Sequence, residues 1–219
     1  MHGNQDKLLI FDCDGVLVDS EPIANRIFVE CLQNEGYGVD EAYALKHFYG
    51  IALRDCITHV ETVFQQKISE DFIDTLSQLT NGEIKRSLKP IRNIELALEQ
   101  IRYPKCVASG SDYEKLHLSL EVTGLKKYFD HIFSVDEVER GKPYPDIFLF
   151  AAAQLNFEPH NCIVIEDSLA GVQAGLAAGM PVYFYHPSSN NGLVLSEGVT
   201  VFYDMAQLPH LIARHETKD

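Results

Sequence analysis

The chain has 219 residues, 46% apolar and 23% charged, a composition that can bury a core and gives no sign of disorder. Its formal net charge of −14, from 18 basic and 32 acidic residues, is not interrupted by any basic stretch, so neither nucleic acid nor an anionic membrane is an expected partner. Met1 to Lys7 contains no apolar signal core, and no stretch approaches the roughly 18 uninterrupted apolar residues of a membrane span, which points to a cytoplasmic protein. The five cysteines (Cys13, Cys31, Cys56, Cys106, Cys162) are odd in number and form no Cys-x-x-Cys pair. They indicate neither a disulfide framework nor a structural zinc site.

The first expected strand, Lys7 to Phe11, is an apolar run that ends in Asp12-Cys13-Asp14-Gly15. From Ser20 to Leu88 the pattern is helical, with segments at Pro22 to Glu35, Asp40 to Phe48, Leu53 to Gln66 and Ser69 to Leu88 and little sign of strands. Beyond Lys89-Pro90 short apolar runs alternate with helical spacing. The expected strands are Cys106 to Ala108, Ile132 to Val135, Cys162 to Ile165, Val182 to Tyr185 and Val199 to Phe202. The expected helices are Asn93 to Ile101, Tyr113 to Thr123, Asp146 to Leu155 and Ser168 to Ala178. Alternation of this kind predicts a doubly wound, Rossmann-like parallel sheet with helices on both faces. The expected organisation is an α/β core of residues 1–19 and 89–219 with an all-helical cap, residues 20–88, inserted after the first strand. Gly171, Gly175 and Gly179 recur every four residues, a spacing that suits close packing of a helix on a sheet better than a phosphate cradle.

Ligands of an open parallel sheet bind beyond the carboxyl ends of its strands. Those ends deliver Asp12 and Asp14, then Ser109, Gly110 and Ser111, then Glu166, Asp167 and Ser168, while Lys142 lies in a glycine and proline loop. Residues two apart on a strand leave on the same side, so Asp12 and Asp14 can share one crevice. Taken alone the pair also fits a solvated acidic turn. A calcium loop fits less well, because it needs a Glu twelve residues in, where this chain has Ile23. The whole set suits phosphoryl transfer. Asp12 and Asp167 can hold a magnesium ion, Ser109 with Gly110 beside it and Lys142 can take the remaining phosphate oxygens, and Asp12 can attack phosphorus. Asp14 can protonate the leaving oxygen and then accept a proton from the hydrolytic water.

Asp12-Cys13-Asp14-Gly15-Val16-Leu17, Ser109, Lys142 and Glu166-Asp167 resemble, in order, the four motifs of the haloacid dehalogenase superfamily. The likeness extends from about Leu8 to His186, with the helical insertion where that superfamily carries its small caps. It implies a metal site formed by Asp12, Asp167 and the backbone carbonyl of Asp14, with Glu166 in or beside the next layer of contacts. Dehalogenases proper lack an acid at the position of Asp14, since a halide leaving group needs no proton, so Asp14 favours phosphate chemistry. β-Phosphoglucomutases have a histidine five residues after the aspartate that follows the first motif. Here Asp19 is followed at that spacing by Ala24, which favours hydrolysis over phosphate transfer between sugar positions.

Within the superfamily, Phe11-Asp12-Cys13-Asp14-Gly15, Asn161-Cys162-Ile163 and the tail around Val199 to Phe202 and Gln207 to Pro209 are similar to bacterial phosphatases of sugar-acid phosphates. The implied partner is a small phosphorylated metabolite such as 6-phosphogluconate. In this superfamily the cap largely selects the substrate. Polar groups there include Glu21, Asn25, His47, Arg54, Lys85 and Arg86, each read first as an ordinary surface residue. Residues 20–88 hold 6 basic and 11 acidic residues, a balance of −5, so the cap is no general anion trap.

Other chemistries fail on spacing. No cysteine has the arginine six residues later that a cysteine phosphatase needs, and no Gly-x-Ser-x-Gly elbow, Walker loop or Gly-x-Gly-x-x-Gly turn occurs. A phospho-accepting receiver module uses similar groups on a similar sheet. Receivers place their paired acids side by side and carry no helical insertion, so Asp14 and residues 20–88 favour the enzyme.

Overall fold

The structure, a computed structural model, describes residues 7–48, 51, 53–187 and 196–215. The reading of the opening residues 1–6 lies outside the described residues. The chain divides into two compact units, Met1–Asp19 with Lys89–Asp219 and Ser20–Leu88.

The first unit is built on six parallel strands: β1 (Leu8–Phe11), β2 (Lys105–Ser109), β3 (Ile132–Ser134), β4 (Cys162–Glu166), β5 (Val182–Tyr185) and β6 (Val199–Phe202). Their order across the sheet is β3-β2-β1-β4-β5-β6. Strands are added outward on one side from β1 to β3 and on the other from β4 to β6, so the order reverses between β1 and β4. That is the position at which an open α/β sheet forms its ligand crevice. Phe11 stands in register with Val107 of β2 and Ile165 of β4. The residue that follows it, Asp12, donates its N–H to the Ile165 carbonyl at 3.0 Å.

Leu8, Leu9, Ile10 and Phe11 are all fully buried, as a central parallel strand covered on both faces requires. Leu8 and Ile10 join Phe148, Ala151, Val172 and Ala174 in one core, whereas Phe11 points the other way and meets Phe129 edge-on at 5.7 Å. Helices α5 (Ile94–Gln100), α6 (Tyr113–Val122), α7 (Asp146–Gln154), α8 (Leu169–Ala177) and α9 (Leu208–His215) complete this unit. The sequence reading contains no counterpart of α9, although Leu208, Leu211 and Ile212 have helical spacing and Pro209 sits in the first turn, where a missing N–H is harmless. At Gly175 a Cβ would lie 2.6 Å from Val182 Cγ2, so α8 can approach β5 this closely only with glycine there.

The second unit consists of α1 (Glu21–Asn34), α2 (Glu41–His47), α3 (Leu53–Phe64) and α4 (Phe72–Ser87). Phe28 meets Phe48 at 5.2 Å and Phe72 at 5.9 Å, both edge-on, and these rings with Val60 and Leu76 form its apolar interior. Asp40 caps α2 by accepting from the Tyr43 N–H at 2.7 Å. Among the described residues, no helix of either unit is long and apolar enough to cross a membrane.

Candidate active site

β2 and β4 each run one residue further than their apolar cores, so Ser109 and Glu166 are the last residues of strands and not the first of loops. They are thereby fixed by ladder hydrogen bonds. The chain after β1 folds back on itself: the N–H groups of Leu17 and Val18 donate to the Cys13 carbonyl at 2.8 and 3.1 Å, and Gly15 N–H donates to the Val18 carbonyl at 2.8 Å. Gly15 adopts φ +74°, and a Cβ built on it would fall 1.8 Å from Asp167 Oδ2. Glycine therefore serves twice here, permitting the left-handed turn and leaving room for the Asp167 carboxylate.

Lys142 lies between two carboxylates, its Nζ 2.7 Å from Asp12 Oδ1 and 2.6 Å from Glu166 Oε1. Glu166 is fully buried, and its other oxygen accepts from the N–H groups of Asp167 and Ser168 at 2.9 and 2.8 Å and from Ser168 Oγ at 2.9 Å. Ser168 in turn caps α8 by accepting from Gly171 N–H at 3.0 Å. This anchoring makes Glu166 a rigid support for the lysine. Carboxylate oxygens of Asp12, Glu166 and Asp167 lie within 4.8 Å of one another. Three acids grouped this closely around one ammonium, with Asp12 and Glu166 buried and Asp167 half-buried, form an all-oxygen donor set that suits a hard divalent cation such as magnesium. Burial pushes the Asp12 carboxyl above the usual range, with the Lys142 ammonium opposing and the Glu166 carboxylate adding to the rise. Burial alone would lower Lys142, but Asp12 and Glu166 outweigh it, so the lysine is held above its ordinary value and stays charged.

Asp14 has a different partner. Lys115 Nζ lies 2.9 and 3.0 Å from its two carboxylate oxygens, and Ser111 Oγ donates to Asp14 Oδ2 at 2.5 Å. Ser109 is fully buried, and its hydroxyl accepts from the Ser111 N–H at 3.1 Å. Gly110 is exposed, with no atom within 4 Å of where a Cβ would be. Asp12, Lys142, Glu166 and Asp167 are thus brought into one cluster, and Asp14, two residues after Asp12, is held by a second lysine, Lys115. Sequence reasoning missed Lys115 and the use made of Ser111. The available signal was Asp112, an N-cap that accepts from Lys115 N–H at 2.9 Å and so puts a lysine one turn into α6, four residues from Ser111.

In the helical unit, Glu21 and Asn25 are half-buried on α1, His47 ends α2 with its ring stacked on His59 at 5.1 Å, and Arg54 is exposed on α3. Lys85 and Arg86 are exposed in the last turn of α4, Arg86 within 3.7 Å of Glu83.

The family described as haloacid dehalogenase-like hydrolase matches residues 9–185. The chain is 32% identical over 209 residues to the 6-phosphogluconate phosphatase of Escherichia coli (strain K12), an alignment covering 93% of each protein. A crystal structure of a conserved haloacid dehalogenase-like protein from Agrobacterium tumefaciens superimposes with a TM-score of 0.82 at 33% identity, over 97% of this chain and 100% of that one. A putative β-phosphoglucomutase from Thermotoga maritima superimposes with a TM-score of 0.79 at 27% identity, over 95% and 99%. Sheet order, the acidic strand ends and these likenesses agree: the chain belongs to the haloacid dehalogenase-like hydrolase family and is a phosphoric monoester hydrolase.

Proposed function

We propose that the protein is a magnesium-dependent phosphatase of small phosphorylated sugars or sugar acids, with 6-phosphogluconate the first candidate substrate, and that Asp12 is its nucleophile. The observation that carries this reading is the position of Asp12, held 2.7 Å from Lys142 Nζ and grouped with Glu166 and Asp167 at the reversal of strand order. The candidate substrate rests on the 32% identity to a protein of that activity.

Asp12, Asp167 and the Asp14 backbone carbonyl would hold the magnesium ion, which when bound neutralises phosphate oxygens. Lys142, pinned by Glu166, keeps one Asp12 oxygen oriented and presents a cation to the incoming phosphoryl group. Ser109 and the Gly110 backbone N–H complete the phosphate contacts. The second Asp12 oxygen attacks phosphorus, and the ester P–O bond breaks as Asp14 gives its proton to the leaving oxygen. Asp14, now a carboxylate, takes a proton from the water that attacks the aspartyl-phosphate. The P–Oδ bond of Asp12 then breaks and inorganic phosphate leaves. Transfer to a second sugar position is the alternative. Ala24 disfavours it, because a methyl group stands where the mutases carry a histidine and can move no proton.

Phosphate release from a panel of sugar phosphates, sugar-acid phosphates, phosphoglycolate and nucleotides, each with magnesium and with a chelator, tests the reading. Magnesium-dependent release that is greatest from 6-phosphogluconate is expected. Release from 6-phosphogluconate no faster than from unrelated phosphates would end the specific assignment, and no release from any of them would end the general one.

A further inference from the structure

The two acids after β1 do not share a lysine. Lys142 serves Asp12 and Glu166, while Lys115, four residues past Ser111 on α6, serves Asp14. An ammonium has three donors and no acceptor, and here three contacts take them up: Asp14 Oδ1 at 2.9 Å, Asp14 Oδ2 at 3.0 Å and Ser111 Oγ at 3.0 Å. Ser111 Oγ accepts from the lysine and donates to Asp14 Oδ2 at 2.5 Å, closing a ring of contacts.

Each member of that ring is itself held. The Ser111 N–H donates to Ser109 Oγ at 3.1 Å, and its carbonyl accepts from the buried Ser134 Oγ at 2.9 Å, at the end of β3. The Lys115 backbone is fixed through its N–H to the Asp112 cap at 2.9 Å. An isolated surface pair would contribute little. This one has side chains only 21% and 27% exposed and contacts to both carboxylate oxygens.

We propose that Lys115, seated by Ser111, is the positioning residue for Asp14, fixing the carboxyl group that hands a proton to the leaving oxygen and takes one from water. The inference rests on the phosphatase reading above. The proton balance closes over one turnover: Asp14 loses one proton as the ester bond breaks and regains one as water forms the new P–O bond. Lys115 touches neither substrate nor phosphorus in this scheme. Its part is to stop Asp14 turning away, and misplacement of a reacting group by about 1 Å can cost about 10²-fold in rate.

A leaving group that needs no proton tests this directly. Lys115→Met, Lys115→Arg and Ser111→Ala are compared with wild type on 6-phosphogluconate, an alkyl ester, and on p-nitrophenyl phosphate, an aryl ester, with magnesium and with thermal melts to establish folding. If wild type releases phosphate from p-nitrophenyl phosphate alone, the best alkyl substrate of the panel replaces 6-phosphogluconate. Expected for Lys115→Met is a fall in kcat/KM, which reports the steps up to formation of the aspartyl-phosphate, of about 10²-fold on the alkyl ester and of less than about 10-fold on the aryl ester, whereas kcat, which includes the shared hydrolysis of that intermediate, falls on both. Lys115→Arg should recover part of the loss, and Ser111→Ala should show the same alkyl bias more weakly. Equal losses of kcat/KM on the two esters, or full activity in folded Lys115→Met, overturn the role of Lys115 alone. Wild type that releases phosphate from no ester of the panel overturns the phosphatase reading beneath it. Should Lys115→Met not fold, the bias in Ser111→Ala and Lys115→Arg decides in the same way.

Discussion

Gly15 and Asp167 occupy adjoining space so closely that a methyl group on Gly15 would sit 1.8 Å from Asp167 Oδ2. Gly15→Ala must therefore move the Asp167 carboxylate, and it also strains a backbone at φ +74°, at a cost of roughly 1–2 kcal/mol. The expected result is a folded protein whose magnesium requirement shifts to higher concentration by tenfold or more, a scale set by about 1.4 kcal/mol of lost ion binding. Titration of activity against magnesium checks this, and an unshifted midpoint would show that Asp167 does not hold the ion.

Lys142 is the counter-charge for two buried acids. Lys142→Met leaves Asp12 and Glu166 without their ammonium, and breaking a buried pair by removing one partner costs roughly 3–5 kcal/mol. Urea unfolding in the presence of a chelator should show that loss, together with loss of turnover. A midpoint equal to wild type would mean that the cluster is far more solvated than its burial indicates.

The raised Asp12 carboxyl gives the metal-free protein a definite pH response. Between the ordinary carboxylate value of about 4 and the raised one, the folded state holds a proton that the unfolded chain has released, so stability falls as pH rises through that window. Asp12→Asn should flatten this slope. Magnesium, which binds the ionised form, should stabilise wild type more at the upper end of the window than at the lower. Unfolding curves at a series of pH values with chelator or magnesium measure both effects, and a slope of opposite sign would contradict the assigned cause.

Two glycines of α8 separate site from packing. A Cβ at Gly171 would fall 1.9 Å from Glu166 Cδ, whereas at Gly175 the obstacle is Val182 Cγ2 at 2.6 Å. Gly171→Ala should disturb the carboxylate that pins Lys142 and lower kcat per folded molecule. Gly175→Ala should act as overpacking, costing about 1–3 kcal/mol of stability with kcat kept. Melting temperatures and active-site-normalised rates distinguish them; equal effects on kcat would refute the distinction.

The sheet was legible because central parallel strands such as Leu8–Phe11 are continuous apolar runs, and α1 to α8 were legible from their spacing. Helix α9 escaped despite the helical spacing of Leu208, Leu211 and Ile212 because it is only eight residues long and Pro209, harmless in a first turn, reads in sequence as a break. At the site, Asp12, Glu166 and Asp167 are legible because they stand at strand ends, and Lys142 because it is a lysine in a glycine and proline loop between them. The pairing of Lys115 with Asp14 spans 101 positions and depends on how the turn after β2 starts α6 beyond the strand ends, which the local spacing around Lys115 does not show. Glu166 was expected beside the metal layer. Its direct hold on Lys142 follows from β4 running to Glu166 itself, one residue past the apolar run.

The central claim is that Asp12 carries the phosphoryl group, and replacement by an isostere that keeps its shape tests this most directly. Phosphate release by Asp12→Asn, measured beside wild type at saturating magnesium on the best substrate of the panel, should be abolished while the protein remains folded. Magnesium-dependent release persisting in Asp12→Asn at a rate near wild type would contradict it.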